Sequence, residues 1–412
     1  MTTSEFIAQY RMSNPRDLAL QSRRYPDVDM PYALNQIQGW QTARQKLPSW
    51  AACDGVVYPP HLNMEQCSSE PTARYKQEVV SRWVAGDAAA TMTDLTGGFG
   101  VDFSFTSRCF AHATYVERNE ALCNVVRGNL PCLGINNADV VCGEAEDCLC
   151  SMEPQTMLFL DPARRDEHGG KTVFLADCTP DVTSLLPQLM SQSRFVMLKL
   201  SPMLDWHKAA ADLQGMVREV HIVSVGGECK ELLLLLADSG DAEVSVYCVD
   251  IQPKPDADGS YQRSEFCYKI ADDSASTFSS SFPIPHTSSS ISSSSYLFEP
   301  NASIMKAGCF SEIQRSFAVE AISQNSHLFI SAVDVEGFPG RAFVVDNVTT
   351  LNKRQLKEAL AGIKQANIAV RNFPMSVAEL RKRLKLRDGG NTYIFATTSS
   401  EGEHLLLITH KK

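Results

Sequence analysis

From position 91 to 237 the chain alternates short apolar runs with stretches in which apolar residues recur three or four apart. Such alternation marks strands joined by helices in a parallel sheet. Strands are expected to end at Asp94 and Glu117 and to cover 139–142, 157–160 and 195–200. Helices are expected at 121–133, 182–190 and 207–216. Met157 to Leu160 is an unbroken apolar run, as suits a central strand covered on both faces. The runs 217–225 and 232–237, separated by Gly226, Gly227 and Glu228, close the series as a hairpin and bring the count to seven strands. The fold class is therefore α/β, a seven-stranded doubly wound sheet with an N-terminal helical segment and small C-terminal α+β modules.

The flanks follow other patterns. Helical spacing at 4–10, 15–23 and 32–44 predicts a helical lead-in, and Ser69 before Pro71 predicts the start of another helix. Beyond 250 the regular pattern stops: Pro253 and Pro255 break it, and 274–295 is serine-rich, a composition expected of a flexible linker. Order resumes from 296, with strands within 329–346, a helix at 353–365, a strand at 368–370, a helix at 376–384 capped by Ser376, and paired strands at 393–397 and 404–409. The expected domains are 1–64, 65–250, 251–335 and 336–412.

Composition narrows the class. The 412 residues exceed one core. The start lacks a secretion signal. Thirteen cysteines without a C-x-x-C pair argue for free thiols in the cytoplasm and for no metal site. The net charge of -10 conceals an uneven distribution, because 351–412 carries twelve lysines and arginines against five acids. Arg371, Arg381, Lys382, Arg383, Lys385 and Arg387 are the candidate phosphate contacts there.

The chemistry centres on 93–102, TDLTGGFGVD. Gly97, Gly98 and Gly100 allow a tight turn and close approach of a ligand. The spacing D-x-x-x-G-x-G, with Thr96 beside it, is neither a dinucleotide fingerprint nor a phosphate loop. It suits a nucleoside carrying an amino acid, such as S-adenosylmethionine. Asp94 and Asp102 flank the loop. Glu117, followed by Arg118, ends the second strand, where a carboxylate accepts both hydroxyls of a ribose. Glu144 and Ala145 follow the third strand, where an acid would accept an adenine amino group. Asp161 and Arg164, in DPARR after the fourth strand, are the expected acceptor-site residues. Gln66, Ser68, Ser69, Thr72 and Lys76 are further candidates for the cofactor's carboxylate or for ordering the loop.

DLTGGFGVD, YVERN, GEAED and DPARR together resemble class I S-adenosylmethionine-dependent methyltransferases with their Rossmann-like sheet. The order EQCSSEPTARYK, DLTGGFGVD, DPARR, KLSPMLD, GGECKELLLL, followed by the basic tail, is similar to the bacterial group carrying a C-terminal THUMP-like domain. The resemblance implies methylation of tRNA or rRNA, with transfer to a base nitrogen expected and S-adenosylmethionine as cofactor. A small-molecule or protein methyltransferase is the alternative, and a non-catalytic RNA-binding protein the alternative of another class. The acceptor motif reads Asp-Pro-Ala-Arg, where many amino-group methylases have Asn-Pro-Pro-Tyr.

Overall fold

The structure, a computed structural model, describes residues 1–164, 175–238, 243–271, 291 and 295–412. The chain packs as two compact units. The first comprises Met1–His221, Glu231–Ser245 and Ile251–Tyr261; the second comprises Ile222–Lys230, Val246–Asp250 and Gln262–Lys412.

The first unit opens with helices α1 (Thr3–Tyr10), α2 (Pro15–Leu20), α3 (Met30–Lys46), α4 (Pro48–Ala51), α5 (His61–Gln66) and α6 (Glu70–Trp83). Local chemistry sets their starts. Thr2 and Glu5 form a capping box at α1, and the side chains of Asn14 and Asp29 accept the first amides of α2 and α3. Ser69 occupies the cap position of α6 as expected but makes no side-chain capping bond to the backbone. Trp50, Tyr58, Met64 and Ala73 pack with Phe99 and Val101, so the lead-in helices brace the glycine loop.

The strands follow as β1 (Thr91–Asp94), β2 (His112–Glu117), β3 (Ala138–Cys142), β4 (Gln155–Leu160), the short β5 (Ala163–Arg164) and β6 (Cys178–Thr179), then β7 (Ser193–Leu200), β8 (Val217–Val225), β9 (Glu228–Leu236), β10 (Glu243–Ile251) and β11 (Arg263–Ala271). Helices α7 (Val101–Thr106), α8 (Glu120–Cys132), α9 (Ala145–Ser151), α10 (Val182–Ser191) and α11 (Trp206–Asp212) connect them. The large sheet has the order β11-β10-β8-β9-β7-β4-β1-β2-β3. Strands β3, β2, β1, β4 and β7 are parallel, and β9 runs antiparallel to β7. The seven expected strands are all present, and β10 and β11 extend the sheet to nine. Pro253 and Pro255, read as ending the sheet, fall in the connection between β10 and β11, where a missing amide donor breaks no ladder. From β1 the chain moves outward to β2 and β3 on one side, then crosses back from β3 to β4 on the other side of β1. A crevice therefore opens at the carboxyl ends of β1 and β4, where open α/β sheets hold ligands.

In the second unit β12 (Tyr296–Pro300), α12 (Ala302–Ala307), α13 (Phe310–Phe317), β13 (Glu320–Ala321) and β14 (Phe329–Ser331) precede β15 (Gly340–Thr350), α14 (Lys353–Ala359), β16 (Asn367–Val370), α15 (Val377–Leu384), β17 (Thr392–Thr398) and β18 (His404–Lys411). One seven-stranded sheet, β13-β14-β12-β15-β18-β17-β16, runs through the whole segment. Ser376 and Glu379 form the capping box of α15. The helix expected over 353–365 stops at Ala359, because Gly362 lies at φ +84°, outside helical backbone. Most of the serine-rich stretch 274–295 lies outside the described residues. Among the described residues no helix is long and apolar enough to cross a membrane.

Candidate active site

The glycine loop forms because β1 ends in a backbone that only glycine adopts freely. Gly98 and Gly100 have φ of +54° and +78°. Gly97 is required for a different reason: a Cβ there would lie 2.1 Å from the ring of Tyr115. That ring underlies the loop, and its hydroxyl donates to the Gly98 carbonyl at 2.5 Å.

Around this turn lies a cavity of about 380 Å³, within the usual range for small-ligand sites. Its wall contains Asp94, Thr96, Gly97, Gly98, Gly100, Asp102, Glu117, Arg118, Glu144, Ala145 and Asp161. Of the expected cofactor contacts, all but Ser69, Thr72 and Lys76 are therefore brought to one place. Thr72 is buried in the first turn of α6, where its hydroxyl donates to the Ser69 carbonyl at 3.0 Å, so it does not line the cavity. Gln66 and Ser68 do line it.

The Glu117 carboxylate turns toward the loop. One oxygen accepts the Gly98 amide at 3.0 Å and the other the Asn119 amide at 2.8 Å. Each oxygen keeps lone pairs for a further donor. Glu144 is the residue before α9 but makes no capping bond, which leaves its carboxylate to the cavity. Asp94 is 1% exposed and accepts the Thr96 amide at 2.9 Å. Burial pushes its carboxyl well above the usual range, with the nearby carboxylates Asp102 and Asp161 adding to the rise.

At the far end, the Asp161 amide donates to the Thr96 hydroxyl at 2.6 Å, joining the turns after β1 and β4. The Asp161 carboxylate meets the Lys199 ammonium at 2.5 Å. Lys199 also stands 3.4 Å from Asp102. Behind them Lys76 is wholly buried between Asp102 at 3.1 Å and Glu231 at 2.5 Å, and the Ser68 hydroxyl donates to Asp102 at 2.7 Å. Burial alone would lower the Lys199 pKa, but Asp161, Asp102 and Glu231 more than offset it, so it stands well above the ordinary value. Burial likewise opposes ionisation of Asp102, yet Lys76 and Lys199 hold its pKa down at about 2. Asp102 and Lys76 thus serve as a buried support under the cavity floor.

Of the DPARR residues, Arg164 pairs through its backbone with Cys178; its side chain, like Arg165, lies outside the described part of the structure. Lys199 and Glu231 are not among the expected site residues. The available signal was a lone charge next to a buried run: Lys199 follows Phe195 to Leu198, and Glu231 precedes Leu232 to Leu236.

In the second unit, Lys382, Arg383, Lys385 and Arg387 are exposed. Arg371 is instead held at 2.7 Å by buried Glu299, which also binds Arg341, and Arg381 pairs with Asp388 at 2.6 Å. Those two of the six candidate phosphate contacts are paired with carboxylates of the same chain.

Residues 340–411 match the THUMP domain-like family, and 296–339 match a ferredoxin-like domain. The chain is similar to the crystal structure of a presumed methyltransferase from Porphyromonas gingivalis, at 28% identity and a TM-score of 0.82, over 99% of this chain and 97% of that one. An rRNA methylase from Streptococcus thermophilus matches at 14% identity, over 42% of this chain and 98% of that one, with a TM-score of 0.31. An O-methyltransferase from Bacillus cereus in complex with SAH matches at 13% identity, over 48% and 91%, with a TM-score of 0.34. No curated protein matches the sequence. The resemblance drawn from the motifs holds: the chain has the class I methyltransferase architecture and ends in a THUMP-like domain.

Proposed function

We propose that this protein is an S-adenosylmethionine-dependent methyltransferase that modifies structured RNA, a tRNA or rRNA. In this reading residues 65–250 carry the chemistry, 336–412 hold the RNA, and 1–64 and 251–335 are accessory. Thirteen free cysteines suit the cytoplasm as its place of work.

The carrying observation is the Glu117 carboxylate hydrogen-bonded to Gly98 at the rim of the cavity. The side chains present fit the group. Glu117 accepts a ribose diol, Glu144 an exocyclic amine, and the turn built on Gly98 and Gly100 admits a ligand close to the backbone. When bound, S-adenosylmethionine supplies a methyl on a sulfonium, open to in-line displacement. The chain's own part is alignment and the exclusion of water. Asp161, at the acceptor end, takes the hydrogen bond of the incoming nucleophile, and Lys199 fixes the Asp161 carboxylate. Lys382, Arg383, Lys385 and Arg387 offer exposed cations for phosphates, which fits an RNA substrate.

The test compares modified nucleosides, by mass spectrometry, in RNA from cells with and without the gene. One methylated nucleoside should vanish with the gene and return with the wild-type protein but not with Asp161→Ala. An unchanged set of RNA methylations would reject the RNA reading.

A further inference from the structure

The pairing of a lysine with the acceptor-end carboxylate bears on which atom is methylated. We propose that the acceptor is a hydroxyl, the ribose 2′-hydroxyl of RNA, with Asp161 receiving its proton and the Lys199 ammonium donating to its oxygen. This rests on the methyl-transfer reading above and turns from the base nitrogen expected from sequence.

Donors and acceptors at one spot decide which atom fits. The Asp161 side chain is 39% exposed, Lys199 lines the same cavity, and their charged atoms lie 2.5 Å apart. An ammonium has three N–H donors. Asp161 and Asp102 face it at 2.5 and 3.4 Å, which leaves a donor for the cavity. Asp161 binds Lys199 through Oδ2, and Oδ1 has no partner among the described residues. The site thus offers a nucleophile one acceptor and one cationic donor.

A hydroxyl matches that pair. Its proton faces Asp161, one oxygen lone pair takes the Lys199 donor, and the other is left for the methyl. An attacking amine does not match. Its single lone pair is consumed by the methyl, both its N–H groups require acceptors, and an ammonium offers none. A ring nitrogen has only the lone pair it must use. Lys199 is also fixed in its charged form by three carboxylates, so it serves as donor and not as base. The ribose hydroxyl is both donor and acceptor and needs no unstacking of its base.

The step balances. The oxygen lone pair forms the O–CH₃ bond as the S–CH₃ bond breaks, and that bond's electrons remain on sulfur. The hydroxyl proton passes to Asp161 and then to water, which reaches this half-exposed carboxyl.

Full-length protein is incubated with RNA from cells lacking the gene and with S-adenosylmethionine bearing a deuterated methyl. Nucleosides are then fragmented at the glycosidic bond, which separates sugar label from base label. The expected result is label on ribose. Lys199→Met should slow transfer at saturating S-adenosylmethionine by about a hundredfold, the effect of losing one preorganised donor. Lys199→Arg should recover part of the rate. Label on the base, no label, or full activity of Lys199→Met overturns the proposal. If wild-type protein fails to bind S-adenosylhomocysteine, the underlying reading falls with it. Should Lys199→Met not fold, the position of the label and the Lys199→Arg rate decide the matter.

Discussion

Asp94 lines the cavity at a cost to the fold. It is buried at the end of β1, and its carboxyl is raised well above its ordinary range, chiefly by desolvation. A carboxyl raised in the folded state binds its proton more tightly there than in the unfolded chain. Its contribution to stability therefore falls as pH rises above the unfolded value of about 3.9. Asp94→Asn should raise the melting temperature at pH 8 relative to wild type, with a smaller gain at pH 4.5, while weakening cofactor binding. Thermal melts at the two pH values check this; a lower melting temperature at pH 8 would contradict it. Gly97 is constrained by shape instead. Gly97→Ala puts a methyl into the Tyr115 ring, and such overpacking costs about 1–3 kcal/mol. Urea titration of the variant reads that loss directly. Legibility at this scale follows the same division. The glycines, Glu117 and Asp161 could be read because each ends a strand in a recognisable spacing. Lys199 and Glu231 could not, because their partners Asp161 and Lys76 lie 38 and 155 positions away.

Among the elements, α6 shows how tertiary pairing overrides local sequence. Its amphipathic face and its start near Pro71 were legible, but nothing local announces that Lys76 is wholly buried against Glu231 of β9 and Asp102 of α7. Removing one partner of a buried pair leaves an uncompensated charge and costs about 3–5 kcal/mol. Lys76→Ala should lower the unfolding midpoint accordingly, with Glu231 losing its ion-pair partner and Asp102 left with only the Lys199 ammonium at 3.4 Å. The pairs also predict acid behaviour. The Asp102 pKa is depressed to about 2, so its stabilising contribution is complete above the unfolded value of about 3.9 and lost as pH falls toward 2. In acid titrations Lys76→Ala should show less of this decline than wild type; an identical decline would contradict the assignment. The same long-range logic explains the sheet. Strands β1 to β4 are announced by local periodicity, whereas β10 and β11 join across a proline-containing connection that reads locally as an end.

For the whole molecule, the legible feature was charge asymmetry, an acidic chain with a basic tail; which of the cations remain available was not. Glu299, some 70 residues upstream, takes Arg371, and Asp388 takes Arg381. Lys382, Arg383 and Arg387 stay exposed. If they bind phosphates, reversing all three to Glu should flatten the dependence of log affinity on log salt by about 2–3, near 0.7–0.9 for each phosphate no longer neutralised. Filter binding of tRNA at several salt concentrations measures that slope, and an unchanged slope would remove these residues from the RNA interface. The proposed function stands on S-adenosylmethionine occupying the crevice beside Glu117 and the glycine turn. Calorimetry of the full-length protein with S-adenosylhomocysteine tests it most directly. One site per chain is expected, weakened about tenfold to a hundredfold in Glu117→Ala, the worth of hydrogen bonds to a charged group. Failure of the wild-type protein to bind, or equal binding by Glu117→Ala, would contradict it.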